Sequence, residues 1–359
     1  MELRQLRIDH LRLFEHVEFE LAPGWNLLLG PNGAGKTSVL EAAFLLSHGR
    51  SFRTSLKDAL VRRGAGGYAV FGELINADES RRRLGLARSG NGLEARLEGE
   101  VVAAAELMRH AAVLCFEPGS HELISGASEE RRRFIDWGVF HVEHDFLSAW
   151  RRYQRALKQR NALLRAEPQA SALDAWDHEL AQAAAPLVDM RRRYFVALAP
   201  YVVALLANLL AELGVAYLRF DAGCDPDQSF EELLAVQRGR DIARGYTGSG
   251  PHRSDWSLSF EFAPRREHLS RGQEKLCAFA LVLAQSQLFR DTTGEWPVLC
   301  LDDLASEVDR AHQDRVVASI AGLGVQVLAT GTQEPEAIAS HGLEVARFHV
   351  EQGHVTRLL

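Results

Sequence analysis

The sequence predicts an α/β protein in which the two ends of the chain build one head and the middle forms an inserted α-helical lobe. Three observations carry this prediction. A complete phosphate-loop motif lies between an apolar run and a helical pattern, strand-like segments occur at both ends, and strand signals nearly vanish in the middle. The chain has 359 residues, and at about 100–200 residues per domain two lobes are expected.

Each element follows from local pattern. Val17, Phe19 and Leu21 alternate with Glu18 and Glu20, the period-two signature of a half-buried strand. Pro23-Gly24 marks a turn, and Trp25 to Leu29 is an apolar run that ends at Gly30. Beyond Lys36, the residues Val39, Leu40, Ala43, Phe44 and Leu46 fit helical spacing. Tyr68 to Ile75 reads as a strand, and Arg96 to Val102 as a weaker one. Helical patterns then cover Asp145 to Leu164, Ala172 to Leu187 and Phe195 to Leu213. Strand-like segments resume at Trp256 to Phe262, Val298 to Leu301 and Val325 to Ala329, with a helix from Gly272 to Phe289 among them. The expected division is a discontinuous head of residues 1–116 and 245–359 and a helical lobe of residues 117–244. Heptads sustained over many turns are not expected, which excludes a long coiled-coil arm.

Composition narrows the classes. Apolar residues make up 47% and charged residues 25%, ordinary for a globular protein and too apolar for a disordered one. The net charge is −7, from 41 basic and 48 acidic residues, so any nucleic acid must be bound locally or conditionally. Cys115, Cys224, Cys277 and Cys300 form no C-x-x-C pair, which disfavours zinc and disulfides and fits a reducing cytosol. No apolar signal segment opens the chain. The most apolar stretch, Val196 to Ala211, is broken by Pro200 and Asn208 and is shorter than the ~20 residues of a membrane span. A cytoplasmic protein with no membrane segment is expected.

Gly30-Pro31-Asn32-Gly33-Ala34-Gly35-Lys36-Thr37 matches G-x-x-x-x-G-K-[ST] in full. In such a loop backbone N–H groups face the β-phosphate, Lys36 neutralises phosphate oxygens and the Thr37 hydroxyl ligates Mg²⁺. The following helix adds its positive end to the same phosphates. A nucleoside triphosphate such as ATP, with Mg²⁺, is the implied ligand. The apolar run Val298 to Leu301 ends in Asp302-Asp303. Asp302 suits the Mg²⁺ water shell, and Asp303 suits polarising the attacking water, with Lys36 the partner in charge stabilisation.

Ser270 and Gln273 in Leu269-Ser270-Arg271-Gly272-Gln273 form an S-x-x-Q capping box ahead of an apolar helix. A hydroxyl, a glycine and free N–H groups there also make a phosphate site. This segment resembles the LSGGQ signature of the ATP-binding cassette (ABC) ATPases. In those proteins it is presented to the nucleotide of the other protomer. The resemblance implies an ABC-type head, a phosphate-loop α/β core with an antiparallel β subdomain, and an ATP-dependent homodimer.

Further runs narrow the resemblance to the RecF family, relatives of the SMC chromosome proteins. They are Gly49 to Thr54, Gly126 to Asp136, Gly250-Pro251-His252-Arg253 and Asp302 to Asp309, in that order along nearly the whole chain. The D-loop falls on Ser306 and Asp309, and Arg12 resembles the basic residue that approaches adenine in SMC-type heads. Ser128 replaces the usual proline and Val308 the usual leucine. Thr330-Gly331-Thr332 lacks a switch histidine, no Q-loop glutamine is evident, and Asp303 stands where glutamate is usual. The resemblance implies slow, DNA-stimulated ATP hydrolysis. It also implies binding to duplex and gap junctions, and assistance of RecA loading with RecR and RecO in gap repair, replication restart and the SOS response. The ATPase subunit of an ABC transporter is the alternative, with a P-loop kinase and a non-hydrolysing clamp behind it.

Basic runs supply candidate DNA contacts. From Arg131 to Arg165 there are nine Lys or Arg against three acids, a local net of +6. Arg131, Arg132, Arg133, Arg151 and Arg152 are the candidates. Arg81 to Arg83 and Arg191 to Arg193 are further runs. No base-reading motif accompanies them, so contacts to the backbone are expected.

Overall fold

The computed structural model describes residues 1–90, 92–166, 170–224, 228–304 and 309–358, with backbone only at 170 and 171. The elements are β1 (Glu2–Asp9), β2 (His16–Glu20), β3 (Trp25–Leu29), α1 (Lys36–His48), β4 (Gly67–Ile75), β5 (Arg81–Ser89), β6 (Gly92–Leu97), β7 (Glu100–Val102), α2 (Ala104–Arg109) and β8 (Val113–Phe116). Then follow α3 (Glu122–Ser125), α4 (Ser128–Val142), α5 (Phe146–Leu164), α6 (Ala170–Leu209), β9 (Ala216–Asp221), α7 (Phe230–Arg244) and β10 (Asp255–Phe260). The chain closes with α8 (Arg271–Thr293), β11 (Val298–Leu301), α9 (Arg310–Ile320), β12 (Val327–Gly331), α10 (Glu336–Ser340), β13 (Val345–Glu351) and β14 (His354–Leu358).

Two compact units emerge. One comprises Met1–His121, Ala204–Ala211 and Leu269–Leu359, and the other Glu122–Val203 and Glu212–His268. The expected return to the head at residue 245 is therefore late by more than twenty residues, at 269. Strand pairing is the reason. β10 pairs antiparallel with β9, Trp256 opposite Phe220, which keeps residues 255–260 in the second unit. That unit is helical apart from this two-stranded sheet.

The first unit holds two six-stranded sheets. One is antiparallel, in the order β2-β1-β4-β5-β6-β7. β5 was not expected, because its Arg81 to Arg83 run masks the alternation; Arg81 and Arg83 face Glu73 of β4 as ion pairs. The expected strand at 96–102 divides into β6 and β7 around a turn at Glu98 and Gly99, both with positive φ. The other sheet runs β14-β13-β3-β12-β11-β8, parallel except for the edge strand β14. α1 is buried on nearly every side and packs on strands of both sheets. Buried Gln326 ties the sheets as well. Its amide accepts from Leu3 N at 2.7 Å and donates to the carbonyls of Leu3 and Ala22 at 2.9 and 2.7 Å.

Two helices are expected from the sequence where α6 is a single helix of 40 residues containing Pro186 and Pro200. Each proline removes one backbone bond. A buried seam runs past both, through Leu173, Leu180, Leu187, Tyr194, Leu198, Val202 and Leu209. Its spacing is close to seven residues per two turns, the sustained pattern that the sequence hid by placing Asp177 and Arg191 at buried positions. Among the described residues no helix is long and apolar enough to cross a membrane.

Candidate nucleotide site

The phosphate loop joins β3 to α1, and its glycines are required where they stand. A Cβ on Gly30 would lie 2.0 Å from the Val350 carbonyl oxygen, and Gly35, the N-cap of α1, has φ +110°. Lys36 curls into the loop, Nζ donating to the carbonyls of Gly30 at 2.7 Å and Pro31 at 2.9 Å. Burial pulls its ammonium below the usual lysine range, against the opposing pull of Asp303 and Asp302.

The carboxylates come from β11, which is not the neighbour of β3; β12 lies between. That intervening strand supplies a bridge. Thr330 Oγ1 donates to Asp302 Oδ1 at 2.7 Å and accepts from the Asp303 amide at 2.9 Å. Thr37 Oγ1 donates to the same carboxylate at 2.8 and 3.1 Å. The Asp302 amide donates to the Phe116 carbonyl on β8. Burial raises the Asp302 carboxyl, while the Thr330 and Thr37 hydrogen bonds and the charge of Arg53 work against the rise. Asp303 sits at φ +51°, a left-handed conformation that aspartate tolerates better than most residues, and its Oδ1 is buried with no hydrogen-bond partner.

This donor set fits Mg²⁺. A hydroxyl and one carboxylate side by side, with an unpartnered carboxylate oxygen beyond, leave the remaining octahedral positions to phosphate and water oxygens, as that ion prefers. Bound there, the ion would neutralise charge on the phosphates.

Other expected site residues have defined places. Ser270, Arg271 and Gly272 are exposed at the start of α8. The capping box is complete, with the Gln273 amide on Ser270 Oγ at 3.2 Å and the Ser270 amide on Gln273 Oε1 at 2.9 Å. Asp309 caps α9 through the His312 amide at 3.1 Å, whereas Ser306 lies outside the described residues. Arg12 is committed to α1: its guanidinium grips buried Glu41 at 2.8 and 2.9 Å and donates to the Ala59 carbonyl at 2.7 Å. Glu41 also accepts from Ser51, whose Oγ accepts the amides of Arg53 and Thr54.

Thr330, Glu41, Ser51 and Arg53 are site neighbours that no local sequence pattern marks as such. Ser51 and Arg53 lay inside the Gly49 to Thr54 run, which was their only signal. Thr330 was visible only as the place of an absent histidine.

The candidate DNA arginines divide. Arg131 is buried, its guanidinium bidentate to Asp255 at 2.6 and 3.0 Å with a third bond to the Gly126 carbonyl. Arg132 reaches the Ser254 carbonyl at 2.9 Å, and burial lowers its pKa. Arg133 pairs with Glu129 and Glu130, and Arg152 with Glu179. Arg131 and Arg132 are therefore internal braces rather than surface charges. They tie the run ending at Asp136 to the run before Trp256, with Arg191 bidentate to Asp136 and donating to the Pro251 carbonyl. Only Arg151 of the five is exposed and without an ion-pair partner among the described residues.

Comparison with known proteins gives the family. The RecF/RecN/SMC N terminal domain family matches residues 2–354. The DNA replication and repair protein RecF of Stenotrophomonas maltophilia is 48% identical over 361 residues, covering 99% of each chain. That of Xanthomonas euvesicatoria is 49% identical over 363 residues, again covering 99% of each. A solved structure of the recombination mediator protein RecF with ATP, in the RecFOR pathway, superposes with a TM-score of 0.89 at 25% identity, covering 99% of this chain and 97% of that one. An Smc head bound to the C-winged helix domain of ScpA shares the fold alone, at TM-score 0.62 and 15% identity, covering 100% and 97%. These likenesses set aside the transporter and kinase alternatives. The chain belongs to the RecF/RecN/SMC N-terminal domain family, as a RecF-type member with the ATP-binding SMC-type head.

Proposed function

We propose that this chain is a cytoplasmic, ATP-switched DNA-binding repair protein that hydrolyses ATP slowly. Lys36 and the loop amides hold the phosphates, Thr37 and Asp302 the Mg²⁺, and Asp303 orients the attacking water. The observation that carries this reading is the Thr37–Asp302–Thr330 cluster beside the unpartnered oxygen of Asp303. A buried carboxylate oxygen left without a partner is costly unless a ligand or water completes it.

The exposed Ser270 and Gly272 of one copy would meet the nucleotide on Lys36 of another, closing two heads on two ATP molecules. The closed dimer would hold duplex DNA and gap junctions, and hydrolysis would release them. It would work with RecO and RecR and help RecA loading in gap repair, replication restart and the SOS response, as the resemblance to RecF implies; the RecFOR pathway named for the superposed structure supports this reading.

Sedimentation of wild type and Ser270→Arg with and without ATP tests the switch. Wild type should become dimeric with ATP and the variant should stay monomeric. A wild type that stays monomeric at saturating ATP would end the two-head reading. ATP should also strengthen duplex binding, and Lys36→Met should remove that gain.

A further inference from the structure

Helix α5 has two opposite faces. Tyr153, Ala156, Leu157, Arg160 and Leu164 are buried. Arg151, Arg155 and Lys158, at spacings of four and three, lie on the far side, and exposed Ala162 and Arg165 continue the same line. At 1.5 Å per residue the stripe is about 21 Å long. None of its four cations makes an ion pair with a described acid. In a chain of net charge −7 that is a conspicuous gap in pairing, since the neighbouring Arg152 and Arg238 both have carboxylates.

The stripe ends at an aromatic platform. Arg165 Nε donates to the Gly245 carbonyl at 3.2 Å, next to Tyr246, which is 40% exposed. The guanidinium of Arg253, from the Gly250 to Arg253 run, lies over the Tyr246 ring at 5.5 Å from its centroid. Arg244 closes the group from the end of α7, its Nη1 within 3.6 Å of where a Cβ on Gly248 would stand. The acid of the same loop region, Asp241, is fully buried and turned to Arg160 and the Gly248 amide.

Tracking cations that lead to an exposed ring stacked by a guanidinium are what a single strand of nucleic acid requires. Phosphates need the charges, and an unstacked base needs a flat partner. A duplex offers no free base face, so the ring would be idle against it.

We propose that the α5 stripe and the Tyr246–Arg253 platform bind single-stranded DNA, with phosphates along Arg151, Arg155 and Lys158 and a base on Tyr246. This rests on the reading that the chain acts on DNA, and it adds a strand site in the second unit that needs no nucleotide.

The test is fluorescence anisotropy of the full chain with labelled oligothymidylate and with a blunt duplex of equal length, each with and without ATP. Tyr246→Ala should weaken single-strand binding by about ten-fold and leave the duplex unchanged, and Tyr246→Phe should retain wild-type binding. The triple variant Arg151→Ala, Arg155→Ala, Lys158→Ala should reduce the single-strand salt slope by about 2. The proposal is overturned if Tyr246→Ala binds the single strand as wild type does, if it loses both DNAs equally, or if the triple variant keeps the full salt slope. Absence of an ATP effect would count against the dimer switch alone, because the strand site is read without nucleotide.

Discussion

The Thr37 hydroxyl, in the first turn of α1, donates to both carboxylate oxygens of Asp302, 265 residues later in the chain. Thr330 holds the same carboxylate from the strand between them. The Asp302 carboxylate is thus aimed by two hydroxyls, one of which also fixes the Asp303 amide. Thr330→Val should lower ATP turnover about ten-fold and raise the Mg²⁺ concentration needed, while Mg²⁺-free nucleotide affinity changes little. Thr330→Ser should restore turnover. Steady-state hydrolysis across a Mg²⁺ titration measures both, and an unchanged Mg²⁺ midpoint in Thr330→Val would refute the role.

Asp302 sets a pH dependence. Its carboxyl is raised by burial, so the folded state favours the acid form, and that contribution to stability is lost as pH rises. Mg²⁺ needs the carboxylate. Metal-dependent turnover should therefore decline on acidification from a higher pH than an ordinary aspartate would give. Mg²⁺ midpoints measured from neutral pH downwards check this, and Asp302→Asn should flatten the profile at a low rate.

His252 should make the second unit acid-sensitive. Its Nε2–H donates to the Thr247 carbonyl at 3.0 Å, leaving Nδ1 to accept from Tyr153 Oη at 2.6 Å. Burial holds the imidazole down at about 4. With the unfolded value near 6.5, the unfolded chain binds the proton first. Stability is then complete above about pH 6.5 and falls between there and about 4, by at most ~3 kcal/mol. Urea midpoints across this window should drop in wild type and drop less in His252→Gln.

Arg131 should behave as an interior residue. Arg131→Ala removes three hydrogen bonds of a buried guanidinium and leaves the half-buried Asp255 with its bond from the Trp256 amide, for an expected loss of about 2–3 kcal/mol. Arg133→Ala, on exposed pairs, should cost under ~1 kcal/mol. Denaturant unfolding of both variants decides. Equal effects would mean that the Arg131–Asp255 pair is not the brace it resembles.

The legible part of this protein was local. Gly30 to Thr37 and the run into Asp302-Asp303 carry their chemistry in adjacent residues, so spacing alone exposed them. Thr330 was opaque because its role needs β12 to lie between β3 and β11, a strand order that no local pattern encodes. The same holds for Arg131 and Arg191, whose partners lie 124 and 55 residues away. A run of arginines looks alike in sequence whether it faces solvent or a buried aspartate. β5 and the continuity of α6 are hidden for a related reason, since cross-strand acids and a buried seam make arginines and prolines tolerable where propensity opposes them.

The position of β3 between β12 and β13 has a consequence for synthesis. The phosphate loop leaves the ribosome long before the strands on both of its sides, which follow the whole second unit in the chain. Gly30 seats against Val350, and β3 gains its flanking ladders only when residues 327–349 have emerged. A nascent chain therefore carries a nucleotide motif with no nucleotide site. A premature stop before residue 327 would silence the phosphate loop while leaving every residue of it intact.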